Sequence, residues 1–303
     1  EAGRTGGVDL VLTAHESSAA IAAAYYGAMK GTPGIAISVK GVGAGNMVGG
    51  AVNVYFERMA LLCLSESGDI NSATELVQVV NHDEMFGAVA KLQHTFTHES
   101  AAELLQRAVF EARDGRPGPV VLNVTGVMAE GDVGSALTDL LPANVDAPNA
   151  SELDRLAEMV NGAGRVAIIV GADVGGPGAI DVLKKLVEII GAAVLTTMDA
   201  RGVFPESDSR WTGLHIGAYA PNHIETDIVA AADLVLLIGV DAMMTHSPWG
   251  FGVPTVELVA RPEYATMSPT PDVRVNGDLK ASILYLTGKC DSAGGGFSLD
   301  QIV

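Results

Sequence analysis

Apolar positions along this chain cluster into short runs separated by longer stretches of helical periodicity. Val8–Thr13 is a short apolar run with weak alternation and predicts a strand. Ser17–Met29 is alanine-rich and predicts a helix ending near Gly31 and Pro33. Gly34–Val39 predicts the next strand, Gly41–Gly45 a turn, and Met47–Phe56 a helix that keeps its glycines at some cost. Leu61–Ser65 predicts a strand, and Glu84–Gln93 and Ala101–Arg113 predict helices. The segment Arg113-Asp114-Gly115-Arg116-Pro117-Gly118-Pro119 is a sharp stop before a strand over Val120–Val124.

Ala129–Asn149 loses this periodicity and carries Pro142 and Pro148, which places a domain boundary there. The alternation then resumes. Helices are predicted over Ser151–Val160 (Ser151 as N-cap), Ala179–Ile190, Pro221–Ala231 and Asp278–Leu286. Strands are predicted over Arg165–Val170, Ala193–Thr197, Leu234–Gly239 and Thr255–Val259. Strands alternating with helices imply parallel sheets covered on both faces. The expected fold is therefore α/β, with two doubly wound domains over residues 1–130 and 150–288 and a Gly-rich linker over 289–303.

Composition narrows the function. With 303 residues and 48% hydrophobic content there is material for two cores. No apolar run approaches the ~20 residues of a membrane span; the longest, Leu234–Val240, lies between Asp233 and Asp241. A net charge of −18 disfavours nucleic acid and anionic lipid as partners. The two cysteines, Cys63 and Cys290, fit no metal spacing, and Cys63 lies in an apolar strand. Few cysteines and no signal peptide favour the cytoplasm. The chain begins at Glu1 rather than Met, as expected of a fragment.

Two features carry candidate chemistry. Glu16 opens a helix; it is either a favourable charge against the helix dipole or a carboxylate in an apolar niche, able to trade a proton near neutral pH. The glycines at Gly41, Gly43 and Gly45, ahead of Asn46, either form an ordinary tight turn or let a ligand approach the backbone closely. Their spacing is not the dinucleotide pattern. Gly171–Gly176 also follows a strand and could cradle a phosphate. His94 and His98 are four apart with no third ligand, so no metal site is predicted; His215, His223 and His246 fall in predicted loops.

Taken in order, these segments carry a resemblance. His15-Glu16-Ser17-Ser18-Ala19-Ala20, Gly31-Thr32-Pro33-Gly34 and Gly41-Val42-Gly43-Ala44-Gly45-Asn46 resemble the pyrimidine-binding domain of thiamine-diphosphate enzymes of the acetolactate synthase and 2-oxo acid decarboxylase group. Gly115-Arg116-Pro117-Gly118-Pro119-Val120 is similar to the end of that domain. Thr196–Pro205 and Ala231–Gly239 are similar to the family's Rossmann-like central domain.

The resemblance implies that Glu16 hydrogen-bonds the aminopyrimidine ring of thiamine diphosphate and promotes the imino tautomer that deprotonates the thiazolium. It implies decarboxylation of a 2-oxo acid or cleavage of a hydroxy ketone, with the acyl carbanion passed to a second carbonyl. Gly41, Gly43 and Asn46 would lie near the ring, and Asn81 and His82 would reach a neighbouring subunit's coenzyme or, alternatively, form a polar helix entry. It implies a homodimer or homotetramer. Mg²⁺ would be held with the diphosphate on a third domain whose Gly-Asp-Gly signature is approached here only by Gly277-Asp278-Leu279 and Gly131-Asp132-Val133. FAD is not expected, because Asp241 stands where FAD-using relatives commonly carry Arg. Another thiamine-dependent lyase or acetyltransferase, or a non-catalytic nucleotide-binding module, are the alternatives. Lys40-Gly41-Val42-Gly43, where relatives often have Ser-Gly-Pro-Gly, departs from the pattern.

Overall fold

The computed structural model describes residues 7–68, 74, 77–96, 101–125, 145–174, 178–217, 224–241, 243, 251–264, 270–291 and 296–298. The chain divides into two compact units, Glu1–Ala143 and Asn144–Val303. The boundary expected across Ala129–Asn149 falls largely outside the described residues.

In the first unit the elements run α1 (Glu16–Lys30), β1 (Gly34–Ser38), α2 (Val42–Phe56), β2 (Leu61–Ser67), α3 (His82–Phe86), β3 (Leu92–Thr95), α4 (Ala101–Arg113) and β4 (Pro119–Thr125). The four strands form one parallel sheet in the order β1-β2-β4-β3. Successive strand residues point to opposite faces. Leu61, Cys63 and Val121 therefore join Ala20, Ala24, Met47, Val54 and Phe86 in a core under α1, α2 and α3. Leu62, Val120 and Leu122 pack on the other face against Leu104, Ala108 and Ala112 of α4. That second layer stops short of β1, whose Ile35 and Ile37 remain 56% and 60% exposed.

Three expectations change here. Val8–Thr13 forms no strand: among the described residues the sheet ends at β1, and Leu12 is 99% exposed. A strand needs a ladder partner, and this segment has none in the sheet. The helix expected over Glu84–Gln93 stops at Phe86 before Gly87, and the Lys91 amide turns to the Pro119 carbonyl at 2.8 Å, which starts the pairing of β3 with β4. The expected turn Gly41–Gly45 is mostly helix. Only Gly41 is outside α2, and Gly43 and Gly45 lie in its first turn.

The second unit contains α5 (Ala150–Gly162), β5 (Val166–Val170), α6 (Ala179–Ile190), β6 (Ala193–Thr197), β7 (Trp211–His215), α7 (Ile224–Ala231), β8 (Leu234–Ile238), β9 (Thr255–Val259), β10 (Val273–Asn276) and α8 (Leu279–Lys289). Its parallel sheet has the order β10-β9-β8-β5-β6-β7. Ile168, Val170, Leu236 and Ile238 pack against Leu156, Leu183 and Ile283 of α5, α6 and α8. Ala167, Ile169, Val235 and Leu237 pack against Ile228 and Val229 of α7. α5 is capped by Asn149, not Ser151: the Asn149 Oδ1 accepts from the Ser151 and Glu152 amides at 2.9 and 3.4 Å. β3, β7 and β10 are short strands that the apolar pattern does not predict.

Candidate functional site

The first unit concentrates its polar groups at the carboxyl end of its sheet. Ser38, Ser65, Asn123 and Thr95 pair in register across all four strands, so one polar rung crosses the sheet. Ser38, Ser65 and Asn123 are buried, and the two serine hydroxyls hydrogen-bond at 2.9 Å. Ligands of open α/β sheets bind outside this end of the strands.

Glu16 stands there as the first residue of α1. His15 caps that helix, its Nδ1 accepting from the Ser17 amide at 3.2 Å. Asn46, in the first turns of α2, donates from Nδ2 to Glu16 Oε2 at 3.0 Å, and the Ser17 hydroxyl donates to the Asn46 carbonyl. The two helices are thus tied start to start. Small residues permit the approach. A β-carbon on Gly50 would stand 2.7 Å from both the Ser17 carbonyl oxygen and the Ala20 Cβ. One on Gly43 would stand 3.2 Å from Glu16 Oε1 and 2.7 Å from Val39 Cγ2. Bare Gly43 therefore leaves Glu16 Oε1 uncrowded on that side.

Glu16 is half-buried and not in an apolar niche. Its own backbone N–H, with help from the Asn46 amide, holds the carboxyl below the usual carboxylate range. The group is poised as an anion, a hydrogen-bond acceptor for a protonated partner. Of the two readings open for Glu16, this is the charge at a helix start and not the carboxylate in an apolar niche.

Gly41 adopts φ 62°, and a β-carbon there would lie 2.3 Å from the Gln78 carbonyl oxygen. Gln78 itself has φ 59°, rare for a residue with a side chain. The Gly41 amide donates to His82 Nε2 at 3.3 Å, and His82 Nδ1 lies 2.9 Å from Asn123 Oδ1. His82 is buried, with both ring nitrogens engaged inside its own unit. Asn81 is the exposed N-cap of α3: its Oδ1 accepts from the Asp83 and Glu84 amides, and its Nδ2 donates to Glu84 Oε1. The polar helix entry is what the structure displays at these two positions. Asn123 and Gln78 were not singled out by sequence. A lone Asn in the apolar run Val120–Val124 was the available signal for the first.

The second unit uses its candidate groups internally. Gly171 is pressed on the Gly239 carbonyl, 2.0 Å from where a β-carbon would be, so it joins the ends of β5 and β8; Gly175 and Gly176 lie outside the described residues. Asp278 caps α8 through the Ala281 amide at 2.6 Å; Gly131–Val133 lies outside the described residues. His215 ends β7 fully buried, its Nδ1 3.0 Å from Glu225 Oε2, rather than sitting in a loop. His94 is on β3, while His98, His223 and His246 are outside the described residues. Both cysteines are free and buried, and burial pushes the Cys63 thiol up to about 12. No helix among the described residues is long and apolar enough to cross a membrane.

Comparison with known proteins agrees with this architecture. Residues 1–99 match the N-terminal TPP binding domain of thiamine pyrophosphate enzymes, and residues 153–286 match the central domain. The chain is 28% identical over 246 residues to the probable acetolactate synthase large subunit of Methanocaldococcus jannaschii, covering 76% of this chain and 40% of that protein. It is 23% identical over 290 residues to the glyoxylate carboligase of Escherichia coli, covering 93% of this chain and 49% of that one. A solved structure from Mycobacterium smegmatis, provisionally assigned as a thiamin diphosphate-dependent enzyme, superposes with a TM-score of 0.77 over 94% of this chain and 56% of its own, at 23% identity. The chain spans less than half the length of these two curated relatives. With one domain match over each unit, the chain belongs to the thiamine pyrophosphate enzyme family and carries its N-terminal and central domains.

Proposed function

We propose that this chain is the pyrimidine-binding and central part of an acetolactate synthase-like enzyme that decarboxylates a 2-oxo acid and passes the acyl carbanion to a second carbonyl. The observation that carries this reading is the anionic Glu16, held by Asn46 at the carboxyl end of the sheet. Its residues suit an aminopyrimidine ring: one carboxylate oxygen is fixed by Asn46, and the other faces Gly43, where no β-carbon intrudes.

Bound thiamine diphosphate supplies the electron sink for decarboxylation. Glu16 accepts the hydrogen bond of the ring nitrogen and favours its protonated form. Asn46 orients Glu16, and Gly41 and Gly43 bring the backbone of the α2 entry close to the ring. The diphosphate and its Mg²⁺ are assigned to a further domain. Asp278, in the segment nearest to that domain's signature, is engaged as a helix cap. The exposed row Ile35, Ile37 and Val39 is surface of the kind a second subunit or domain covers, in keeping with a homodimer or homotetramer. Cytoplasmic placement belongs to the same reading.

The test is C2-proton exchange of thiamine diphosphate in a longer protein that includes this chain. Glu16→Gln keeps the fold and slows exchange by about 10²–10⁴-fold; unchanged exchange rejects the assignment. Product analysis with 2-oxo acids then separates carboligation from simple decarboxylation.

A further inference from the structure

The buried link between His82 and Gly41 has a defined polarity. A backbone N–H can only donate, so His82 Nε2, which receives the Gly41 amide, carries no proton. The neutral ring then has its proton on Nδ1, directed at Asn123 Oδ1. The amide orientation of Asn123 agrees, because its Nδ2 donates to Asp83 Oδ1 at 3.4 Å. Three side chains from two elements thus form one directed chain that ends on a single backbone amide.

That amide belongs to the residue on which α2 begins. Gly41 is the N-cap of α2, and its carbonyl accepts from the Gly45 amide at 2.8 Å to close the first turn. The same turn brings Gly43 past Glu16 Oε1 and leads into Asn46, which holds Glu16 Oε2. Gly41 has no side chain with which to cap its own helix, and its left-handed φ leaves its peptide dependent on outside partners. His82 provides one from across the unit.

We propose that His82 is a positioning residue: as the Nδ1–H tautomer it anchors the Gly41 amide and thereby sets where Gly43 and Asn46 meet Glu16. Its consequence for catalysis rests on the proposed coenzyme role of Glu16; its structural content does not. A histidine that merely fills space would accept any substituent of similar volume. This one has to offer an acceptor toward Gly41 and a donor toward Asn123. A glutamine amide offers both groups, its oxygen toward Gly41 and its NH₂ toward Asn123. Leucine offers neither.

The experiment is heteronuclear NMR on the 303-residue chain without coenzyme. The ¹⁵N shifts of His82 are expected to show a protonated Nδ1 and a bare Nε2; the opposite tautomer overturns the proposal. In His82→Leu the Gly41 amide and the Asn46 side-chain NH₂ resonances are expected to shift while the amides of α4, on the far face of the sheet, stay in place. In His82→Gln both are expected to return close to their original positions. A Leu variant that leaves Asn46 unmoved, or a Gln variant that moves it as far as Leu does, also overturns the proposal. The tautomer and the Gln result are read without the Leu variant, so its failure to fold does not remove the test. Failure of a longer protein that includes this chain to bind thiamine diphosphate sinks the coenzyme reading and leaves these readouts intact.

Discussion

Asn46 reaches across 30 positions of sequence to donate its amide to Glu16 at 3.0 Å, and with that bond the starts of two helices become one site. Glu16 is thereby an acceptor that is already oriented, and its carboxyl is held below the usual range first by its own backbone N–H and then by Asn46. An enzyme that needs a carboxylate to receive a ring N–H gains by having that carboxylate fixed before the ligand arrives.

Replacing Asn46 by Leu should therefore raise the Glu16 pKa, though not fully to the ordinary value. The larger contribution to its lowering is the backbone N–H of Glu16 itself, which the substitution leaves in place. The folded-state pKa lies below that of the unfolded chain. Glu16 thus favours the fold above the unfolded value, and that contribution is lost as pH falls through the folded value. In the Asn46 variant that contribution is smaller and is gone at a higher pH. Carboxyl ¹³C titration of Glu16 in both proteins checks the direction; identical midpoints would mean that Asn46 does not act on it.

Gly50 and Gly43 give opposite outcomes when changed to Ala. At Gly50 the new methyl meets the Ser17 carbonyl and Ala20, neither of which can swing away, so the two helices must separate. The expected loss is about 1–3 kcal/mol of unfolding free energy, as for other overpacked cores, read from urea melts. At Gly43 the nearest atom is the end of the exposed Val39 side chain, which can rotate. Alanine is also the better helix former by roughly 1 kcal/mol. Gly43→Ala should keep wild-type stability and lose affinity for thiamine diphosphate, because the methyl stands against Glu16 Oε1. Calorimetric titration of thiamine diphosphate into a longer protein that includes this chain, alongside the urea melts, separates the two effects.

The division between what sequence made legible and what it did not follows from the range of the interactions. Helix ends such as Gly31 and the burial of strands such as Leu234–Ile238 depend on near neighbours, and the residue pattern announced them. Glu16, Gly43 and Asn46 were picked out by the resemblance, and the structure brings them together. The tie that orients Glu16 was not legible, because it depends on Asn46 arriving from the next helix. Nor was the engagement of His82, whose partners are both 41 positions away. β3, β7 and β10 escaped because Leu92–Thr95, Trp211–His215 and Val273–Asn276 mix polar with apolar residues and lack the continuous apolar run that announced the equally short β5 and β8. Asn149 won the N-cap of α5 over Ser151 because its oxygen sits where two amides converge.

In the second unit, Asp154 on α5 accepts from the Tyr285 hydroxyl at 2.7 Å and from Lys289 at 3.0 Å, both on α8. Its carboxyl is held below the usual range chiefly by the Tyr285 hydrogen bond and secondarily by Lys289. Tyr285→Phe and Lys289→Met should each raise the Asp154 pKa. Added salt should weaken the lysine contribution and spare that of tyrosine, since only the former is a charge pair. NMR titration of Asp154 at low and high ionic strength tests both statements. An Asp154 midpoint that neither substitution moves would show that these two partners do not act on it.

Glu225 offers the largest expected effect on stability. It is fully buried at the start of α7, beside the equally buried His215 of β7, and it accepts from the Ile216 and Gly217 amides at 2.9 and 3.4 Å. Burial pushes its carboxyl up, but His215 and the two amides outweigh burial, and the net position is below the usual range. The carboxylate is the acceptor at the point where the chain leaves β7 for α7. Glu225→Leu removes that acceptor from two backbone donors and strips His215 of its carboxylate, at a cost of about 3–5 kcal/mol by analogy with other broken buried pairs. Glu225→Gln keeps an oxygen for the amides while removing the charge, so it should lose less. The pH dependence has a definite sign. A lowered folded-state pKa means the wild-type contribution is complete above the unfolded carboxylate value and disappears as pH falls through the folded value. The stability gap between wild type and Glu225→Gln, taken from urea melts, should therefore be widest near neutrality and close on acidification. A gap that stays constant with pH would show that the charge of Glu225 does not hold this turn and that packing alone does.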